Sequence, residues 1–273
     1  MTFSTIMVHL ELEPSNDARL RIAGDFAERF DTRVIGIAAA DAQPRIYAGS
    51  AFARNLVTTI QSEIETQLEQ AEARFRLAMK DRARDIEWRS ALARPTEYVV
   101  HGSRAADLII TGANRDGPLL DQLRYLNPSD LVMRAGRPIF VVPPEAEYLN
   151  LKNVLVAWKD TREARRAVLD ALPLLQKAKE VNVLEVIDRE ASRTAAQRRV
   201  NDVAAWLARH NILAFPKVTH AANETDQIDH IWQSGADVIV AGAYGHSRFG
   251  EWVFGGITEN LITRSRRCSF LTH

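Results

Sequence analysis

The chain has 273 residues, of which 46% are hydrophobic and 26% charged. That length admits one large domain or two small ones, each able to bury its own core. Lys plus Arg and Asp plus Glu both number 35, a formal net charge of zero, which speaks against a nucleic-acid binder or a polybasic membrane-surface segment.

Short apolar runs alternate with amphipathic helical patterns along the whole chain. Thr5–Leu10 predicts a strand, and the cluster Pro14-Ser15-Asn16-Asp17 starts a helix that runs to Phe30. Arg33–Ala39 is the next strand. From Arg54 to Met79, Leu56, Ile60, Ile64, Leu68 and Phe75 recur at helical spacing, so one long helix is expected. Ile86–Leu92 follows as a strand, Thr96–Ala105 as a helix and Asp107–Gly112 as a buried strand. A helix near Ser129–Ala135 leads into the strand Arg137–Val142.

Pro143-Pro144-Glu145-Ala146-Glu147 then reads as a linker, after which the same programme restarts. Asn153–Trp158 is a strand, Thr161–Gln176 a helix, Glu180–Ile187 a strand and Ala195–Ala208 a helix. Ile212–Val218 (strand), Glu224–Gln233 (helix), Ala236–Gly242 (strand) and Ile257–Ser265 (helix) follow, and Cys268–Thr272 closes the chain. Ala106-Asp107-Leu108-Ile109-Ile110-Thr111-Gly112-Ala113 is echoed 130 residues later by Ala236-Asp237-Val238-Ile239-Val240-Ala241-Gly242-Ala243. Alternating strands and helices imply open parallel sheets covered on both faces. An internal duplication is therefore expected, with one α/β unit over residues 1–144 and a second over 150–273.

Six of the 13 glycines fall between Gly235 and Gly256, after a buried strand and before a helix. Ligands of open parallel sheets sit beyond the carboxyl ends of the strands. Glycines there let backbone N–H groups approach an anion, and a helix N-terminus adds unsatisfied donors, so a phosphate suits the place. The alternative is that these glycines only shape a surface loop and cap helices.

The spacing Gly242-x2-Gly245-x9-Gly255 resembles the nucleotide loop of the universal stress protein family. Val154-Leu155-Val156-Ala157-Trp158 with Lys159-Asp160-Thr161 is similar to that family's first strand and turn. Ala236–Val240 is similar to its strand before the loop, and Ser269-Phe270-Leu271 to its closing strand. Because the likeness spans both halves, the chain resembles a tandem universal stress protein. The resemblance implies two Rossmann-like parallel-sheet units, paired within one chain as a pseudo-dimer through their closing strands. It also implies ATP or ADP, accompanied by Mg2+, in the second copy. Gly242 and Gly245 would wrap the ribose and phosphates, and Gly255 and Gly256 would offer N–H groups at the helix start. Ala157 and Val186 would line the adenine and ribose side, with His246, Ser247, Ile257 and Thr258 as further contacts.

Two departures stand out. Gly256 occupies the place where the family usually has a hydroxyl residue, although Thr258 lies two positions on. Lys159 replaces the family's Asp after the first strand; it either meets a phosphate or is an exposed lysine without a role. The first copy departs further. Arg115 takes the place of the second glycine, and Asn127-Pro128-Ser129-Asp130 reads as a helix start rather than a phosphate cradle. Its expected role is to pair with the second copy.

His246 lies in the loop as a phosphate contact or a solvated histidine. His9 reads as a satisfied strand residue and Cys268 as a buried, inert thiol. His220 and His230, with Asp226 and Asp229, suggest a metal only weakly, and none is assigned. There is no Walker loop, no Gly-x-Ser-x-Gly elbow and no clear general base. The expectation is a stress-response protein that binds ATP or ADP as a sensor, with no catalytic residue assigned. The alternatives are a slow ATPase or adenylyl-handling enzyme, for which His246, Ser247 and Lys159 are the only nominees, and a scaffold or binder of another small ligand. A homodimer and an unidentified protein partner remain open. No basic-then-apolar leader opens the sequence and no run reaches the roughly 18 apolar residues of a membrane span. The single cysteine excludes an internal disulfide, so a cytoplasmic protein is expected.

Overall fold

A computed structural model describes residues 2–12, 16–41, 51–113, 124–245, 256–263 and 266–273, without the side chains of 51–56, 224 and 257. The first half contributes strands β1 (Thr5–His9), β2 (Arg33–Ala39), β3 (Ile86–Ala91), β4 (Leu108–Gly112) and β5 (Ile139–Val142). Its helices are α1 (Asp17–Phe30), α2 (Ala51–Met79), α3 (Pro95–Gly102) and α4 (Pro128–Arg134). The second half contributes β6 (Asn153–Trp158), β7 (Glu180–Ile187), β8 (Ala214–His220), β9 (Val238–Gly242) and β10 (Cys268–Thr272). Its helices are α5 (Arg162–Asp170), α6 (Leu172–Leu175), α7 (Arg193–Ala208), α8 (Glu224–Gln233) and α9 (Gly256–Thr263).

All of these strands join one ten-stranded sheet in the order β3-β2-β1-β4-β5-β10-β9-β6-β7-β8. Every neighbouring pair is parallel except β5 and β10, which run antiparallel at the centre. In their register Phe140 faces Phe270, Ile139 faces Leu271 and Val141 faces Ser269. The repeat of 130 residues relates Phe140 to Phe270, so each phenylalanine lies opposite its own counterpart. A pseudo-twofold axis therefore passes between them and exchanges the two halves.

The duplicated Ala-Asp pair has a mechanical role at the amino ends of the strands. Asp107 Oδ2 accepts from the backbone N–H groups of Ser4 and Thr5, at 2.8 and 3.0 Å. Asp237 Oδ2 accepts from Asn153 N at 2.8 Å, and Asp237 Oδ1 accepts from Asn150 Nδ2 at 2.7 Å. Each carboxylate pins a first strand to the strand beside it. The chain runs from β1 to β2 and β3 on one side and then crosses to β4 on the other, and likewise from β6 to β7 and β8 and then across to β9. A crevice thus opens at the carboxyl end of each pair, where doubly wound sheets hold ligands.

The strands are apolar on both faces because helices cover both. Val8, Val154, Val240 and Phe270 join one core layer with α1, α2, α5, α6 and α7; Met7, Leu155, Ile239 and Leu271 join the other with α3, α4, α8 and α9. Phe26 of α1 packs edge-on against Phe140 at 5.0 Å, which ties the first layer to the seam. Burying each such side chain is worth about 1.5–3 kcal/mol.

The expected helix Thr161–Gln176 is divided at Ala171 into α5 and α6. Pro173 lacks the N–H that would continue the ladder and is tolerated only in the first turn of the new helix. The expected strand Ile212–Val218 instead covers Ala214–His220. Asn211 adopts a left-handed φ of 61°, and Ile212 N bonds back to Leu207 O, so Ile212 still belongs to the turn that ends α7. No helix among the described residues is long and apolar enough to cross a membrane.

Candidate functional site

At the carboxyl ends of β6 and β9 the chain turns into α5 on one side and toward α9 on the other. Thr161 caps α5, its hydroxyl accepting from Ala164 N at 3.2 Å. Gly242 ends β9 directly beneath this cap. A Cβ added there would stand 2.5 Å from Ala164 N and 2.6 Å from the carbonyl carbon of Glu163. Only a residue without a side chain lets strand and helix approach so closely. Gly245 is held in the same way: its Cβ would lie 2.9 Å from Glu163 Oε2 and 3.1 Å from Thr161 Oγ1.

Between the two glycines, Tyr244 takes a left-handed φ of 55°, uncommon for a non-glycine residue. Its backbone N–H donates to Thr258 Oγ1 at 3.4 Å, and its hydroxyl reaches Glu259 Oε2 at 3.5 Å. Ser129 of α4, from the first half, reaches the same Glu259 oxygen at 3.5 Å. Burial, together with Glu259, raises the Tyr244 pKa, although Ser129 opposes the shift. The start of the loop is thus fixed between the N-terminus of α5 and the first turn of α9.

Glu163 is the charged group of this crevice. It is only 7% exposed. Burial pulls its pKa up, but its own backbone N–H, Arg162 and the Thr161 hydroxyl outweigh that and hold the carboxyl below the usual range. Arg162 Nε lies 3.2 Å from Oε1, while Oε2 faces Gly245. The glycine spacing carries no signal for this residue, which sequence reasoning misses; its place two positions after a threonine at a helix start is the one local cue that could have found it.

The structure brings Ala157, Gly242, Gly245, Gly256 and Thr258 to the same end of the second half. Ala157 is half-buried between Leu184 and Ala241. Val186 is half-buried near the end of β7 and packs with the α8 layer. Gly256 opens α9, and Ile257 follows in its first turn with its side chain outside the described residues. His246, Ser247 and Gly255 lie outside the described residues, as does Arg115 of the first half. The Thr258 hydroxyl is already engaged by Tyr244 N. Lys159 is exposed, and its carbonyl accepts from Thr161 N at 2.7 Å. Trp158 Nε1 and Thr272 Oγ1, both buried, have no hydrogen-bond partner among the described residues.

The matching crevice of the first half is filled from within. Registers place His9 where the second half has Ala157, and Glu11 where it has Lys159. Arg19 lies three residues after Asn16, as Ala164 does after Thr161. Arg19 and Glu11 form a buried ion pair at 3.1 Å, and Arg19 Nη1 also donates to the His9 carbonyl at 3.3 Å. Asn16 exchanges hydrogen bonds with the Glu11 backbone at 2.7 and 3.0 Å. The guanidinium carbon stands 3.3 Å from where a Cβ of Gly112 would be, so a side chain fills the place that helix backbone fills at Gly242. The expectation that His9 is a satisfied strand residue needs correction. It is buried, Nδ1 has no hydrogen-bond partner among the described residues, and burial, helped by Arg19, lowers its pKa to about 3.

Asn127 does cap α4, accepting from Asp130 N at 3.0 Å, with Pro128 in the first turn. Cys268 is buried, and its thiol is pushed up to about 12. His230 Nε2 lies 3.1 Å from the His220 carbonyl, and no metal-binding cluster occurs among the described residues.

Neither a family model nor a curated protein matches the sequence. Solved structures do match its fold. A universal stress protein from Archaeoglobus fulgidus DSM 4304 superimposes with a TM-score of 0.72 over 98% of this chain and 95% of its own, at 16% identity. A functionally unknown protein from Pseudomonas aeruginosa PAO1 gives 0.59 at 14% identity, covering 99% and 92%. A candidate universal stress protein from Pseudomonas aeruginosa UCBPP-PA14 gives 0.58 at 14% identity, covering 99% and 93%. With one strand order repeated across a pseudo-twofold axis, the chain has the universal stress protein fold, present twice along a single sheet.

Proposed function

We propose that this is a universal stress protein acting in the stress response, in which the second half binds ATP or ADP, accompanied by Mg2+, and the first half serves as its structural partner. The observation that carries the reading is the seating of Gly242 and Gly245 against the N-terminus of α5, at the β6–β9 switch point, with Thr258 holding the loop start to α9. That arrangement leaves the α9 N-terminus, opened by Gly256, as the favourable place for phosphates. Ala157 and Val186 offer half-buried apolar surface beside it for a base. In the first half, the Arg19–Glu11 pair and the Asn127-Pro128 cap take up the corresponding positions. Occupancy of the second half then governs contacts with a protein partner in the cytoplasm.

Calorimetric titration with ATP and ADP, with and without Mg2+, tests the reading. One nucleotide per chain is expected, with binding abolished in Gly245→Arg, whose side chain must displace Thr161 and Glu163. Two equivalents per chain would refute the assignment of roles to the halves. No binding at all would refute the nucleotide reading. A turnover assay on the same sample separates a binding protein from an ATPase.

A further inference from the structure

The sheet has two edges, and the molecule treats them differently. β3 and β8 are its outermost strands, and an edge with unpaired backbone groups invites another strand. The bonds from Val34 N to Asp85 O and from Ala40 N to Ala91 O fix the phase of the β2–β3 ladder. They leave Ile86, Trp88 and Ser90 with their N–H and C=O groups turned outward. In the same way, the bond from Ala221 N to Ile187 O turns the backbone of Ala214, Pro216, Val218 and His220 outward from β8.

The outward side of β8 is closed. Pro216 has no N–H to offer. Arg193 Nη1 donates to Val218 O at 3.2 Å, and His230 Nε2 lies 3.1 Å from His220 O. The registers carry Ile6 onto Val154, Val34 onto Val181 and Ile86 onto Ala214, so Pro216 corresponds to Trp88 and Val218 to Ser90. At these matching positions β3 has no proline. No hydrogen bond among the described residues reaches the outward groups of Ile86, Trp88 or Ser90.

The side chains of β3 indicate what the open edge fits. Glu87 and Arg89 share one face, Arg89 Nε donating to Glu87 Oε1 at 2.7 Å, and both are partly exposed. Laid antiparallel to itself about a twofold axis at Trp88, the strand sets Trp88 against Trp88, Ile86 against Ser90 and Glu87 against Arg89. The outward residues then face one another and exchange both N–H···O bonds. Aromatic meets aromatic, and each acid meets a base. Arg89 bonds through Nε alone among the described residues, so its Nη groups are left to reach a second carboxylate. An antiparallel pair centred on two equivalent aromatic residues already joins β5 to β10.

We propose that β3 is a docking edge for β3 of a second copy of this chain, and that it joins two molecules into a twofold dimer with one continuous sheet. The closed β8 edges at the far ends stop growth at two. Pairing of β3 with β8 would be head to tail and would continue into a fibre. β3 lies in the first half, away from the β6–β9 crevice, so the dimer forms with or without nucleotide.

Sedimentation velocity on the full chain, from low to high micromolar loading, tests this. The wild type is expected as a reversible dimer. Ser90→Pro copies the proline of β8 at an exposed residue whose N–H lies outside the β2–β3 ladder. Its melting temperature should hold while the dimer is lost. Arg89→Glu sets acid against acid on both sides of the axis and should weaken the dimer at least about fivefold. Mixing Arg89→Glu with Glu87→Lys restores opposite charges and should recover a heterodimer, which a folding defect in either variant would not allow. A wild type that stays monomeric at every loading overturns the proposal and leaves the edge to a strand of another protein. A dimer untouched by Ser90→Pro or by Arg89→Glu overturns it by placing the interface elsewhere. Growth beyond a dimer overturns the closure of β8.

Discussion

Gly112 and Gly242 occupy equivalent positions at the ends of β4 and β9, and the same substitution at each should have unlike results. Glycine to alanine at a compatible backbone position stabilises by about 0.4–1 kcal/mol, because the unfolded chain loses freedom. At Gly112 the new methyl would meet the Arg19 guanidinium at 3.3–3.5 Å, a contact relieved by a shift of a few tenths of an ångström in a side chain. At Gly242 it would stand 2.5 Å from a backbone nitrogen and 2.6 Å from a backbone carbon, and only movement of α5 relieves that. Overpacking of this kind costs about 1–3 kcal/mol, with the upper end expected where backbone must move. For a chain of this size, about 2–3 kcal/mol lowers the melting temperature by roughly 4–8 °C. Gly112→Ala should therefore melt within about 2 °C of the wild type, and Gly242→Ala several degrees below it, in calorimetric or circular-dichroism melts. Equal shifts in the two variants, or none at Gly242, would refute the claim that helix backbone occupies the space over Gly242 and a flexible side chain the space over Gly112.

His9 predicts a pH dependence. Its folded pKa of about 3 lies below the unfolded value of 6.5, so the unfolded chain takes up a proton that the folded chain refuses. The stability it contributes is full above pH 6.5 and is lost toward pH 3, at about 1.4 kcal/mol per pH unit. Urea melts of His9→Leu between pH 7 and 4 should show a shallower loss than the wild type, and parallel slopes would disprove the assignment. Arg19→Met strands the Glu11 carboxylate in the interior and should cost about 3–5 kcal/mol. Adding Glu11→Gln should restore most of it in the same denaturation assay, and an unimproved double variant would show that the pair is not the source of the loss.

The fold was legible because its strongest signals are local. A strand buried on both faces must be a short apolar run, and Asp107–Gly112 and Ala236–Gly242 announce both that burial and the duplication. The Ala-Asp echo proved to be a pair of strand clamps, a function the residues alone do not disclose. The division between α5 and α6 was written in Pro173 but masked by the continuous apolar spacing around it. At the site, the glycine spacing located the loop, yet the reason for Gly242 and Gly245 lies in α5, about 80 residues earlier in the chain. Glu163 is, in the sequence, one acid in the first turn of a helix with nothing to set it apart. Glu11 and Arg19 are two charges eight residues apart in the sequence, and only the path of the chain around Asn16 brings them together. Contacts set by tertiary approach leave no periodic trace in a sequence.

The antiparallel seam between β5 and β10 has a genetic consequence. Two identical subunits joined by such a seam would carry every substitution twice, so a side chain that blocks one crevice would block its twin. Here the halves share one reading frame and meet at a stoichiometry fixed by covalent connection, whatever the concentration. Phe140 and Phe270 have stayed alike at the join, whereas Arg19 and Ala164, or His9 and Ala157, have gone separate ways. The single chain can thus specialise one half for fit and the other for exchange with the medium, a division of labour unavailable to a symmetric pair.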